Sequence, residues 1–316
     1  MQRLRQRQIH GMKRGQFSKD CTKERFSGFE LLGELDTHDP AYADFTISFL
    51  RRRAKVQEIV SAKSVIFALT QNGVCAAFHR DTMRRYCFLN ARGDEVIRSL
   101  FYNRRCDSII TVSVYRSDDF TTLNCRSTSL THIMRGDSSA GMHIFTTESL
   151  KWPGFVEFDD VNGKILTFSA TDRTYKVWGL TNYNLLYTIP DDNIHEIKIS
   201  PGVLLLIYNR APSHVPLRIV SIEDGKPLAS FSRMLHRNKK LDFIEQFNEK
   251  ILIKQETENL IIVDIHTSEI VEVPQTMCIA PSAFIFLYEN RCFLTLSNRN
   301  VDVWNFRGAR IAVLAA

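Results

Sequence analysis

The sequence predicts an all-β fold that is built from repeated four-stranded units. Four short segments superimpose without gaps: residues 175–180, 217–222, 260–265 and 301–306. The third residue of each segment lies at position 177, 219, 262 or 303, so the unit repeats every 41 to 43 residues. A unit of that length is typical of one blade of a β-propeller, in which each sheet gains a core only by packing against its neighbours.

Each unit contains four short runs that are rich in β-branched and aromatic residues, which is the signature of strands. Tight turns such as Ser200-Pro-Gly202 join the first two runs, as antiparallel hairpins require. In two of the units the runs are 194–200, 203–209, 216–222 and 227–232, then 241–248, 250–256, 259–265 and 269–275. Each unit is therefore predicted to be a four-stranded meander.

Weaker copies of the unit precede the clear ones. The runs 65–69, 73–79 and 84–90 fit one blade, and the runs 96–103, 107–115 and 121–130 fit another. The prediction is therefore six blades within residues 63–316, and the second blade carries an insertion near residues 131–153.

The region before the propeller divides into two parts. Residues 1–27 form a basic tail that is predicted to be disordered, because residues 1–26 hold eight basic and two acidic side chains and so account for the whole net charge of +6. Residues 28–62 are predicted to contain a strand at 29–35 and a helix at 41–60, since Phe45, Phe49, Val56 and Val60 recur at roughly helical spacing. This strand is expected to complete an outer edge of the ring.

The repeat resembles the WD40-like superfamily. Trp178 and Trp304 stand where the tryptophan of the Trp-Asp dipeptide stands in that superfamily, and Asp264 keeps an acidic residue there. The chain, especially residues 149–160 and 242–248, also resembles an uncharacterised family of plant WD40-like, or transducin-like, proteins. That resemblance implies a fold and no assigned activity. No blade opens with a Gly-His dipeptide or closes with a strict Trp-Asp pair, so the regular WD40 hydrogen-bonded tetrad is not expected.

The number of blades in the ring has two interpretations. Six units can close as a six-bladed ring. The resemblance to the plant family instead implies relatives that continue past residue 316, which favours a seven-blade ring that lacks most of one blade. In that case the sheet with Val303 and Trp304 is expected to expose apolar side chains, and the isolated chain to self-associate or to need a partner.

The composition indicates the class of protein and the cellular compartment. Hydrophobic residues make up 44% and charged residues 24% of the chain, as in an ordinary globular protein. Seven cysteines, none in a Cys-x-x-Cys pair, indicate reduced thiols in the cytosol or nucleus. No apolar stretch is long enough for a signal peptide core or a membrane span.

The motifs that could indicate a catalytic, metal-binding or phosphate-binding site are weak. The segment Gly136-Asp-Ser-Ser-Ala-Gly141 with nearby His143 is similar to a loop around a nucleophilic serine, but a solvated glycine-rich loop explains it better, because catalytic groups need a rigid support. Cys75 and His79 are four residues apart, and the other histidines are scattered, so no zinc site is predicted. No phosphate-binding glycine loop occurs, and no cofactor is expected.

Two sets of residues remain as candidates for structural and binding roles. The first consists of repeat positions predicted to pack blade against blade: Val177, Trp178, Ile219, Ile262, Val303 and Trp304. The second consists of candidate partner contacts, two basic clusters and one tryptophan, which a solvated helix face or loop also explains: Arg51, Arg52, Arg53, Trp152, Arg237, Lys239 and Lys240.

The function predicted from these features is a non-catalytic scaffold or adaptor that binds protein partners through loops on the propeller faces. Two alternatives stay open. One is an adaptor that associates with nucleic acid or membranes through the basic tail and loops, and the other is an enzyme with its site in the propeller channel. The sequence names neither the partner nor the oligomeric state.

Overall fold

The computed structural model describes residues 33–315 apart from 43, 146–149, 152–153, 210–212, 248, 278–280, 282, 288 and 297–299. The described residues form 24 strands in six four-stranded antiparallel sheets. Within each sheet the strands are hydrogen-bonded in the order in which they follow along the chain. The predicted all-β fold of six blades is therefore confirmed, and the architecture is that of a six-bladed β-propeller.

The strands of sheets one to three have the following bounds: β1 Val56–Ala62, β2 Val65–Thr70, β3 Cys75–His79, β4 Arg85–Phe88, β5 Glu95–Asn103, β6 Ser108–Tyr115, β7 Asn124–Ser129, β8 Met142–Ile144, β9 Gly154–Asp159, β10 Lys164–Ser169, β11 Thr174–Gly179 and β12 Leu185–Pro190. Those of sheets four to six are β13 Ile194–Ser200, β14 Val203–Tyr208, β15 His214–Ser221, β16 Pro227–His236, β17 Leu241–Phe247, β18 Lys250–Gln255, β19 Leu260–Asp264, β20 Ile270–Val273, β21 Ala283–Leu287, β22 Cys292–Leu296, β23 Asn300–Asn305 and β24 Arg310–Ala315. The described helical structure is a 3-10 turn at Arg116–Asp118 and one short helix, α1 Leu130–Met134.

The core lies between successive sheets. One hydrophobic cluster joins sheets one and two, another joins two and three, and the series continues to a cluster between five and six. Within each strand the side chains alternate between the sheet that precedes and the sheet that follows. We call the side that packs on the following sheet the forward face. Among the described residues, no hydrophobic cluster joins sheet six to sheet one.

The turns between first and second strands lie together on one side of the molecule. Lys63 in sheet one bonds Asp107 in sheet two at 2.5 Å, and the Gly202 backbone N–H of sheet four donates to the Asn162 side chain of sheet three at 2.7 Å. The loops between second and third strands, and the connections from one sheet to the next, therefore lie on the opposite side. We call that opposite side the connection face.

The prediction of a helix at residues 41–60 is wrong. Residues 41–55 form turns and irregular structure where described, and β1 begins at Val56 and pairs with β2. Of the residues at helical spacing, Phe49 is 41% exposed, and Val56 and Val60 belong to β1. Phe45 is buried on sheet one together with Ile47 and Leu50, and these residues form an irregular strap. Of the strand predicted at 29–35, residues 29–32 lie outside the described residues, and 33–35 are not a strand.

A turn in sheet five gives a prediction for pH dependence. Asp264 accepts a hydrogen bond from Lys250 at 2.7 Å and from the backbone N–H groups of His266 and Thr267 at 2.9 and 2.8 Å. The Lys250 bond, followed by the Thr267 bond, holds the pKa of Asp264 well below its ordinary value. A carboxyl whose pKa is depressed by folding stabilises the fold above its unfolded pKa, and this stabilisation is lost as the pH falls through the folded pKa.

Asp264→Asn is therefore expected to lower the free energy of unfolding at pH 7 by about 1.5–3 kcal/mol, the usual size of a hydrogen bond to a charged group. The difference from the parent should shrink as the pH falls below about 4, the unfolded pKa of an aspartate. Urea unfolding between pH 7 and pH 3 measures it. Asp160→Asn, in a more exposed turn, is the control. A difference that stays constant with pH would contradict the argument.

Candidate interaction site

The connection between sheets four and five borders three cavities. A cavity of about 440 Å³ includes His236 in its lining, and a second of about 260 Å³ is lined by His236, Arg237 and Lys239. A third, of about 610 Å³ between sheets five and six, is lined by Lys240. We call residues 236–240 the basic loop. It lies on the connection face, where it reaches three concave surfaces within five residues.

Gln255, at the end of β18, holds the basic loop in place. Its side-chain oxygen accepts the His236 backbone N–H at 2.8 Å, and its amide group donates to the carbonyl oxygens of His236 and Lys239 at 2.9 and 3.2 Å. Gln255 is only 5% exposed, so these bonds form away from water and are expensive to break. The basic loop is therefore fixed to sheet five.

Charged groups surround the loop unevenly. Lys239 forms an ion pair with Glu258, and the His236 ring lies 3.9 Å from the same carboxylate. The His236 ring also contacts the His214 ring in a tilted arrangement, with the ring centres 4.8 Å apart. Arg237 and Lys240 are exposed to solvent. Of the predicted contact residues in this cluster, Lys239 is thus held by an internal partner, whereas Arg237 and Lys240 extend from the fixed loop.

The 440 Å³ cavity has both an apolar and a polar lining. Met234 and Phe231 of sheet four and Ile253, Ile261 and Ile270 of sheet five supply the apolar part. The polar part consists of Ser230, Ser232, His236, Gln255, Glu258, Asn259 and Glu272. This combination suits a side chain or a short segment with an apolar part and a hydrogen-bonding part.

The arginine cluster at 51–53 has mainly internal partners. The Arg51 side chain donates to the Phe45 carbonyl oxygen at 2.7 Å, and Arg53 forms two parallel bonds to Asp36 at 3.0 and 2.8 Å. Arg52 is exposed. The cluster lies on an irregular segment and not on a helix, so Arg51 and Arg53 act as clamps on the strap. Trp152, the remaining predicted contact, lies outside the described residues.

Five of the six repeat residues lie where sheets meet. Val177, Ile219 and Ile262 are at most 2% exposed and pack on the following sheet. Trp178 and Trp304 pack on the preceding sheet. Each indole N–H donates to a buried threonine of the neighbouring strand, Trp178 to Thr167 at 2.9 Å and Trp304 to Thr295 at 2.8 Å. Val303 differs from its equivalents because it is only half-buried.

The glycine-rich insertion is exposed but anchored. Ser139 donates to the Asp137 carboxylate at 2.9 Å, while His132 lies 3.7 Å from the other oxygen of Asp137, so serine and histidine contact the same carboxylate. The Arg126 guanidinium donates to the Ser138 carbonyl oxygen beneath the loop. Gly141 lies against Arg126, where any Cβ would collide with the arginine side chain. The serine and the histidine are thus linked through the carboxylate and not to each other.

Buried thiols and metal ligands offer no further site within the described residues. Burial raises the pKa of Cys75 well above its ordinary value, of Cys87 to about 11 and of Cys125 to about 12, so these thiols are protonated at neutral pH and poor nucleophiles. The described residues contain no group of three His, Cys, Asp or Glu side chains that could hold a metal ion. None of their helices could span a membrane.

The basic loop contains residues that the sequence indicates as candidate contacts, but the sequence did not indicate the residues that hold the loop in place. Gln255, Glu258 and His214 were not singled out, although Gln255 is the polar end of an apolar strand, a position where a buried amide needs specific partners. This position indicates that the Gln255 side chain has hydrogen-bond partners, but it does not identify them.

Comparison with known proteins supports a family and not an activity. No curated protein sequence matches the chain. Similar solved structures, each 12% identical, include a computationally designed protein, Ika8 (83% of this chain and 75% of that chain, TM-score 0.45), KlHsv2 with its loop 6CD replaced by a Gly-Ser linker (77% and 73%, 0.45), and the dihydro-heme d1 dehydrogenase NirN in complex with DHE (84% and 67%, 0.46). The family model described as domain of unknown function DUF7899 matches residues 14–315, and the chain therefore belongs to the DUF7899 family.

Proposed function

We propose that the protein is a non-catalytic scaffold that binds a protein partner on its connection face, in the cytosol or nucleus. The observation that supports this proposal is the basic loop, which Gln255 fixes at the meeting point of three cavities. A rigid sheet that presents loops on one face is the usual architecture of a binding surface. Rigidity matters because a loop that is already ordered loses little conformational entropy on binding.

The lining of the cavities favours a partner segment with both apolar and acidic side chains. Apolar groups fit against Met234, Ile253 and Ile261 in the 440 Å³ cavity. Acidic groups fit beside Arg237 and Lys240, which are exposed and line the two neighbouring cavities. Aliphatic burial supplies most of the affinity of such a contact, and the rim charges supply orientation and rate of association.

We also infer that the sheets are WD40-like blades. The inference depends on the period of 41 to 43 residues and on the tryptophans at 178 and 304. Both tryptophans bond a threonine on the adjacent strand, so the repeat extends to a specific side-chain interaction.

The experiment is proximity labelling in the native cell with the parent and two charge-reversal variants. Arg237→Glu/Lys240→Glu alters the rim of the candidate site. Arg80→Glu/Arg84→Glu makes the same change in charge on the opposite side, at an exposed turn of sheet one. We expect a set of proteins that the parent and the Arg80/Arg84 control label equally, and that the Arg237/Lys240 variant labels at least about tenfold less, as for loss of interactions worth about 1.4 kcal/mol.

Two further arms separate the proposal from its alternatives. Nuclease treatment, or competition with anionic vesicles, should leave the labelled set unchanged, as should deletion of residues 1–26, which hold the excess positive charge. Loss of the set in any of these arms would favour the nucleic-acid or membrane adaptor. Equal labelling by all variants would contradict a role for the basic loop.

A further inference from the structure

Sheet six presents an apolar face to solvent. Residues directly paired across antiparallel strands point to the same side of a sheet. Phe286, Phe293 and Trp304 form one such row, and this row packs against sheet five. The alternate residues therefore lie on the forward face. We call this surface the open face, and it comprises Ala283, Ile285, Leu287, Cys292, Leu294, Leu296, Val301, Val303, Asn305, Ala312 and Leu314.

The same positions are covered in the preceding sheets. Val177, Ile219 and Ile262 are the equivalents of Val303, and the following sheet buries each of them to 2% exposure or less. On the open face, by contrast, Val303 is only half-buried. Leu314 is 57% exposed, whereas Val273, its equivalent in sheet five, is 1% exposed. Sheet six therefore has the residues of a sheet-packing surface, but the described residues provide no sheet to cover it.

Sheet one does not offer a free surface to cover it. Phe45, Ile47 and Leu50 of the strap are 4%, 5% and 2% exposed. Their cluster includes Ala68 and Ala76, which lie on the side of sheet one opposite to its main contact with sheet two, and it extends to Val96 and Val114 of sheet two. Closing the ring onto sheet six, or joining copies head to tail, would require the strap to leave. That displacement would expose three buried side chains, at a cost of about 1.5–3 kcal/mol each.

We propose that the open face binds a second copy of this chain, so that two open faces pack together in a twofold dimer. The open face contains no charged residue, so identical faces meet without like-charge repulsion. When the same face of two copies packs together, both faces are used, so the assembly stops at a dimer and no apolar face remains for a third copy. Two sheets in this arrangement pack about 10 Å apart, as sheets do in a β-sandwich.

The size of the face indicates a reversible dimer. Strands of five or six residues rising about 3.3 Å each, with four strands about 4.8 Å apart, give a face of roughly 300–350 Å². A stable interface buries about 800 Å² on each partner. At roughly 600–700 Å² in total, the contact is smaller than stable specific interfaces, so we expect a weak dimer that dissociates on dilution in the micromolar range.

The proposal is tested by sedimentation velocity and light scattering at protein concentrations from about 1 to about 100 µM. This range brackets the dissociation constant that we expect for the dimer. The mass of the parent should rise from 36.4 kDa towards twice that value with concentration. Ile285→Lys/Leu314→Lys should stay monomeric throughout, because a lysine on each copy would be buried without a partner. The matched control is Leu185→Lys/Leu186→Lys on the outer strand of sheet three, where the two leucines are 45% and 43% exposed, and it should dimerise like the parent.

Circular dichroism and thermal melting of each variant show whether the fold is intact, which is expected because all four substituted side chains are exposed in the monomer. A parent that stays at 36.4 kDa over the whole range would overturn the proposal and leave another protein's sheet as the occupant. A dimer that survives Ile285→Lys/Leu314→Lys, in a folded variant, would equally overturn it.

Discussion

Trp178→Asp is expected to destabilise the protein by at least about 3–5 kcal/mol, the usual cost of truncating a buried tryptophan, before the penalty for a buried carboxylate is added. Trp178 is 6% exposed, contacts the tilted ring of Phe145 at a centroid distance of 4.7 Å and donates its indole N–H to Thr167. The substitution removes the packing between sheets two and three and leaves the Thr167 hydroxyl without its donor. Because single domains are commonly stable by 5–15 kcal/mol, the loss is a large fraction of the total.

Thermal and urea unfolding measure this effect, and two variants make it interpretable. Trp178→Phe keeps most of the apolar volume and removes the bond to Thr167, so it should cost less than Trp178→Asp, about 0.5–1.5 kcal/mol for the hydrogen bond together with a smaller packing loss. Leu185→Asp, at a side chain 45% exposed on the same sheet, should have little effect. A Trp178→Asp protein that melts like the parent would contradict the packing role.

The repeat could be predicted because each of its strands and turns has a recognisable local sequence pattern. The runs predicted at 194–200 and 203–209 correspond to β13 Ile194–Ser200 and β14 Val203–Tyr208. Both are bounded by turn residues, and their β-branched side chains fit a pleated surface. Where local pattern and tertiary pairing agree, as here, the sequence is sufficient.

The helix predicted before the propeller failed because spacing alone cannot tell a helix from an irregular strap. Phe45, Ile47 and Leu50 satisfy the same requirement for burial, and they meet it by lying across sheet one. Val56 and Val60 belong to β1, whose pairing with β2 supplies backbone hydrogen bonds that a helix would have withheld from the sheet. Tertiary pairing therefore overrode the local pattern.

The candidate site could be predicted only in part for a related reason. The charges of Arg237, Lys239 and Lys240 are visible in sequence, but the three cavities beside them arise from how sheets four, five and six pack. The bonds from Gln255 to the loop join residues 16 and 19 positions apart across two sheets. Such contacts depend on register between strands, which composition and periodicity do not specify.

A buried ion pair in sheet two supplies the other large expected effect. Glu95 is fully buried and accepts bonds from Ser113 at 2.6 Å and from the Ala91 backbone N–H at 2.7 Å. Arg126, 3% exposed, places a guanidinium nitrogen 3.7 Å from the Glu95 carboxylate and donates to the carbonyl oxygens of Leu89 and Ser138. The arginine thus neutralises the carboxylate and anchors the insertion loop at the same time.

Arg126→Met is expected to destabilise the protein by about 3–5 kcal/mol, because removing one partner leaves the other as an uncompensated buried charge. Arg126→Met/Glu95→Gln should recover part of that loss, since the neutral amide no longer needs a cation, while the loop anchor at Ser138 stays lost. Arg116→Met, at an exposed arginine, should change stability by less than about 0.5 kcal/mol. Urea unfolding of the four proteins gives the coupling between the two residues. If the double variant were no more stable than Arg126→Met alone, the destabilisation would come from the lost loop contacts and not from the unpaired carboxylate.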